Sequence, residues 1–182
     1  MTASDTRSSD RVSSFALAMR AVPSSAIFGM DGHHVWDPSV IEVDGTFHLF
    51  ASRWPVEAGF EGWRGSEVIR AVAPSLLGPY TFCEVVLRAA DHPFARRGVH
   101  NPKTVRIGER FLLYHLAIPP WQTGFALATS INGPWTVVDH PVIPTSNPAI
   151  LARPDGSIYA VGKCKPEPVR PSGCSSWWTG GR

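Results

Sequence analysis

Charge is sparse in this chain of 182 residues: 17 Lys and Arg face 15 Asp and Glu, 18% of the sequence together, for a formal net charge of +2. No run of five or more like charges occurs, so the electrostatic footprint of a nucleic-acid partner is missing. Cysteine is scarce too. Cys83, Cys164 and Cys174 are an odd number, at spacings that fit neither a zinc ligand set nor a disulfide framework. They read as reduced thiols, with the cytoplasm as the expected location. Long apolar runs are absent. Phe15 to Val22 is broken by Arg20 and stopped at Pro23, too short for a signal-peptide core or a membrane span. A short amphipathic helix capped by Ser13 or Ser14, after the polar stretch Met1 to Ser14, is the expected structure there. No membrane partner and no cofactor are expected. With 43% hydrophobic residues and a mean hydropathy near zero, the composition is that of a globular domain.

Helical periodicity is nearly absent beyond residue 33. The chain there consists of short β-branched and aromatic stretches punctuated by Gly, Pro, Asn and Asp, the pattern of successive antiparallel strands. Trp36-Asp37-Pro38-Ser39-Val40-Ile41-Glu42-Val43, an Asp44-Gly45 turn and Thr46-Phe47-His48-Leu49-Phe50 read as one hairpin. The phrase returns at His100-Asn101-Pro102-Lys103 through Tyr114, and again at Ser146-Asn147-Pro148 through Ala160. A second phrase follows the first two copies: Val68 to Ala73 leads to Gly78-Pro79-Tyr80, and Phe125 to Ser130 leads to Gly133-Pro134-Trp135. Two hairpins in series make a four-stranded unit, and its repetition is the mark of a β-propeller. The innermost strands of all blades line one channel, so Asp37, Asn101 and Asn147 are expected to converge at its mouth. Pro38, Pro102 and Pro148 fix φ where a missing N–H harms the ladder least.

The phrases Trp36-Asp37-Pro38-Ser39, Ser52-Arg53-Trp54, Ser66-Glu67-Val68-Ile69-Arg70-Ala71, His100-Asn101-Pro102-Lys103 and Ser146-Asn147-Pro148 resemble the five-bladed propeller glycosidases, above all family 43-like proteins of a sucrase-like branch. The likeness runs from about residue 29 to residue 163. It implies an all-β fold of about three blades over 29–163, between a polar segment with a short helix (1–28) and an irregular tail (164–182). Three blades of five imply a truncated propeller, with self-association through unpaired blade edges as a consequence.

Such enzymes need two carboxyl groups flanking a glycosidic bond. The resemblance makes Asp37 the catalytic base of an inverting enzyme or the nucleophile of a retaining one. The plainer alternative is a carboxylate that caps nearby backbone N–H groups. In the third phrase the family places a second Asp, and here Asn147 stands instead, an amide that bonds hydroxyls without contributing charge. In the enzymes it resembles the general acid is a Glu beyond the third phrase; the one Glu there, Glu167, lies between two prolines in a setting that reads as linker, which leaves the acid unassigned. Glu67 is a rival carboxylate, either paired with a nearby Arg or hydrogen-bonded to substrate hydroxyls, and Arg53 is expected to help shape the sugar subsite. Trp36 and Trp54 beside Arg53 suit stacking on a sugar ring, whereas Trp63 and Trp121 default to packing. Asn101 and Asn147 are expected to bind substrate hydroxyls; His100 and Lys103 are read either as binding a hydroxyl or an anionic group or as purely structural. His33 and His34 are weighed as metal neighbours, and hydrogen bonding is preferred for them. The implied partner is a small carbohydrate. Three readings follow: a glycoside hydrolase acting on a small furanoside or oligosaccharide, a catalytically silent carbohydrate-binding propeller fragment, or a truncated gene product.

Overall fold

The computed structural model describes residues 21–162 apart from 154 and 156. The expected N-terminal helix at residues 13–22, Glu167, Cys164, Cys174 and the tail 164–182 fall wholly or largely outside the described residues. Within them, short β-branched stretches between turn residues give strands, and every helical piece is a 3₁₀ turn, the longest being Phe60–Gly65.

The first phrase forms β1 (His33–Val43) and β2 (Thr46–Pro55) around Asp44-Gly45. Both turn residues have positive φ, 49° and 76°, as a tight hairpin turn requires. The second phrase adds β3 (Glu67–Ala73) and β4 (Thr81–Leu87), giving a sheet of order β1-β2-β3-β4. The next copy repeats this order with β5 (Gly98–Ile107), β6 (Arg110–Ile118), β7 (Gln122–Ala128) and the short β8 (Thr136–Val137). The third copy contributes the hairpin β9 (Ala149–Ala152) and β10 (Ile158–Val161). First strands lie beside one another, β1 against β5 and β5 against β9, the radial arrangement of blades about an axis. No helix among the described residues is long and apolar enough to cross a membrane.

Strand alternation divides each blade into two faces. On the first sheet Phe50 and Val68 meet Val99, Phe111, Leu113, Ala117 and Ala126 of the second sheet, and this inter-blade layer is the main core. The opposite face carries Leu49, Ala51, Ile69 and Ala71, with Phe28, Met30 and Tyr80 packed on them.

A histidine pair lies in the inter-blade layer. His92 Nδ1 accepts the Ala95 backbone N–H at 2.9 Å, which leaves the proton of the neutral ring on Nε2. That nitrogen donates to His115 Nε2 at 2.8 Å. The close approach depends on Gly124, where a Cβ would stand 2.7 Å from His115 Nε2 and 3.0 Å from Phe94 Cζ. Gly124→Ala is therefore expected to destabilise the fold by about 1–3 kcal/mol through overpacking, read from denaturant unfolding.

Burial holds both rings neutral, lowering His92 to about 4 and His115 to about 3. The unfolded chain protonates them near 6.5, so it binds more protons than the folded one from pH 6.5 down to about 4 for His92 and about 3 for His115. Their stabilising effect is complete above pH 6.5 and drains away as the pH falls through that window. Discounted for partial solvent contact, His92 contributes on the order of 2 kcal/mol. Thermal melts should lose several degrees between pH 7 and pH 4.5, with a shallower loss in His92→Asn. A variant whose slope matches the parent would contradict this account.

Candidate functional site

Asp37, Asn101 and Asn147 occupy the same backbone state, with φ of 51°, 51° and 52°. The left-handed region is costly for most side chains and least so for Asp and Asn, which explains the residue type shared by the three phrases. The consequence is a bulge: pairing of β1 with β2 shifts between Trp36 and Ser39, and pairing of β5 with β6 shifts between His100 and Lys103. Each bulge takes the Asx side chain out of the strand's alternation. The two strand beginnings are also cross-linked, because the Asn101 N–H donates to Ser52 Oγ at 2.8 Å and Ser39 Oγ donates to the Pro102 carbonyl at 3.0 Å.

Asp37 faces His100. Its Oδ2 is 3.4 Å from His100 Nε2, with a third of the Asp37 side chain exposed. On the far side of the ring, Nδ1 lies 2.9 Å from the hydroxyl of Ser66, a buried residue just before β3. Desolvation lowers the His100 pKa; the Asp37 carboxylate opposes that shift and Lys103 reinforces it. Gly98 permits the close seating of this strand, since a Cβ there would stand 2.4 Å from the Arg64 carbonyl oxygen.

Aromatic rings surround the couple. Trp36 stacks on Trp54 at 5.9 Å and meets Phe60 edge-on at 5.5 Å. Trp54 also lies 6.1 Å from His100 and 5.2 Å from His34, and Trp63 joins His100 at 5.1 Å and Trp121 at 5.8 Å. Exposure separates the two expected stacking residues. Trp36 is 45% exposed, while Trp54 is 2% exposed and donates its indole N–H to the Gly59 carbonyl. Trp36 has a face to offer a ligand, and Trp54 supports it from beneath.

Arg53 and Glu67 are placed apart from this group. They pair across β2 and β3, on the face opposite Ser52 and Trp54. Glu67 accepts from Arg53 Nε at 2.8 Å and from Arg88 Nε at 3.0 Å, and Arg53 lies over the Phe82 ring at 5.0 Å. Two guanidinium groups thus engage the Glu67 carboxylate.

Asn101 and Asn147 share a shallow recess lined also by Lys103, Tyr114, His115, Leu116 and Pro148. Asn101 Oδ1 is buried there and accepts no hydrogen bond among the described residues. Tyr114, whose pKa burial raises, bonds to the backbone of Ile150 and ties β6 to the third hairpin. The three repeated positions therefore divide: Asn101 and Asn147 line one recess, and Asp37 stands beside it against His100. The sequence marks Ser52 and Ser66 only as first residues of two phrases of the resemblance and Tyr114 only as the end of a hairpin phrase, with a site role for none of them. His33 Nδ1 lies 3.0 Å from the Asp31 carbonyl, and among the described residues no group of three or more His, Cys, Asp or Glu could hold a metal ion.

No protein-family model matches this chain, and no curated protein does. Solved structures do. A family 43 β-xylosidase/α-arabinofuranosidase from a compost microbial metagenome, in complex with xylotriose, is 24% identical with a TM-score of 0.58, over 69% of this chain and 41% of its own. A GH43_1 enzyme from Xanthomonas citri, also complexed with xylotriose, is 22% identical with a TM-score of 0.60, over 72% of this chain and 40% of its own. A family 117 glycoside hydrolase from Zobellia galactanivorans is 19% identical with a TM-score of 0.60, over 73% and 40%. At these identities the likeness speaks for the fold. The chain spans about two-fifths of the length of the structures it matches, and over that span it has the β-propeller fold of the family 43 glycoside hydrolases.

Proposed function

We propose that this propeller acts on a small furanoside or oligosaccharide as a glycoside hydrolase, with Asp37 as the carboxylate that activates water or attacks the anomeric carbon. The observation that carries this reading is the placement of Asp37: it sits at a bulge of β1, it is one-third exposed, and it lies against His100, next in the chain to the half-exposed Trp36. A partly exposed carboxylate next to an aromatic platform is what a sugar ring needs at its reacting carbon. The xylotriose complexes of two structures with this fold make xylo-oligosaccharides and aryl pentosides the first substrates to test. Asn101, Lys103 and Asn147 would hold the adjoining sugar. Arg53 and Glu67, held by each other on the opposite face, would support the blade from behind.

A second reading is sugar binding without cleavage. Asn147 favours it, because the recess that it shares with Asn101 contains no carboxylate among its lining residues.

Asp37→Asn should lower turnover of an aryl xyloside or arabinofuranoside by about 10²–10⁴-fold, the usual contribution of a positioned acid or base. Unchanged turnover would remove Asp37 from the role. Trp36→Ala should weaken xylotriose binding by about 2- to 10-fold in a calorimetric titration, the range of an aromatic contact. Binding by a parent protein that releases no product would decide for the second reading.

A further inference from the structure

The contacts of Ser66 determine which nitrogen of His100 carries its proton. Ser66 Oγ lies 2.9 Å from the Val99 carbonyl oxygen and 2.9 Å from His100 Nδ1. A hydroxyl has one proton, and a carbonyl can only accept. Both contacts are satisfied only if Ser66 donates to Val99 and accepts from Nδ1–H. The Val99 N–H, donating to the Ser66 carbonyl at 2.9 Å, fixes the spacing of the two segments. The neutral ring then turns a bare Nε2 toward Asp37 Oδ2, 3.4 Å away. Two acceptors face each other with no proton of their own between them.

We propose that Ser66 is a positioning residue that locks His100 in the Nδ1–H tautomer, so that Nε2 and the Asp37 carboxylate form a couple that takes up and shares a single proton. With no proton the couple converges on one donor, a water or a sugar hydroxyl. With one proton it is held as a carboxylic acid donating to Nε2 or as an imidazolium donating to the carboxylate. Among the described groups that meet the ring, the charged ones are Asp37 from β1 and Lys103 from its own strand. Trp54 from β2, Trp63 from the 3₁₀ turn and Ser66 are uncharged. The lock itself stands on geometry alone, and its effect on turnover rests on the hydrolase reading above.

The test is ¹⁵N NMR of the imidazole rings of the full chain without any sugar, with His100→Gln assigning the His100 signals by their loss. The expected result at neutral pH is a pyrrole-like Nδ1 and a pyridine-like Nε2, and Ser66→Ala should shift population toward Nε2–H, which can donate to Asp37. An Nε2–H tautomer in the parent would overturn the proposal whether or not Ser66→Ala folds, and so would an unchanged tautomer in a folded Ser66→Ala. In an active protein, Ser66→Ala should also move the acidic limb of the kcat/KM profile to lower pH by on the order of one unit, because a donated Nε2–H favours ionised Asp37. A limb that stays in place would deny the couple its bearing on Asp37. A chain that cleaves no sugar yet shows the expected tautomers would retire the hydrolase reading and leave the lock standing.

Discussion

A left-handed Asx residue immediately before proline, set inside the inner strands β1 and β5 and just ahead of β9, governs the layout of this protein. Proline restricts the residue ahead of it and withholds an N–H from the ladder. The strand answers with a bulge, at Trp36–Ser39 in β1 and at His100–Lys103 in β5. The bulge has two effects. It frees the Asx side chain from the pleat, and it changes which residues of the strand face the neighbouring blade, so the register of everything that follows depends on it.

The bulges also decide how the blades interlock. Ser52 and Ser39 bond to the backbone of the β5 beginning, and Ser66 reaches Val99 and His100 from the turn before β3. Polar clips of this kind hold the upper end, while Phe50, Val68, Val99 and Leu113 fill the layer beneath them. Burial of apolar area stabilises the pair of blades without direction, and the clips supply the direction. Placement of Asp37 against His100 is a result of that register and needs no contact peculiar to the site.

Charge is partitioned between the faces with equal consequence. Glu67 is neutralised by Arg53 and Arg88 away from the inter-blade side, and Asp37 meets a histidine held toward its neutral form by burial. Two carboxylates thirty residues apart thus have different surroundings: one is saturated by guanidinium donors, and the other keeps an exposed third of its surface.

Local chemistry was open to reading in the sequence. The Asp44-Gly45 turn, the three Asx-Pro phrases and the repeated Gly-Pro-aromatic phrase each specify a conformation from neighbouring residues alone, so the hairpins and the blade repeat could be found without coordinates. The resemblance drawn from those phrases named a propeller, and the solved structures share that fold. What lay beyond reach were contacts across long stretches of chain. Ser66 to His100 spans 34 residues and Ser39 to Pro102 spans 63. Such pairs follow from bulge register and blade packing, which no local pattern encodes. The sequence determined which Asx-Pro steps mark the inner strands; the tertiary structure decided that Trp54 lies under Trp36, that Glu67 is taken up by Arg53 and Arg88, and that a serine orients the histidine between the blades. The physical reason is that a side chain's face is set by strand parity after each bulge, and its partner by the blade that packs there.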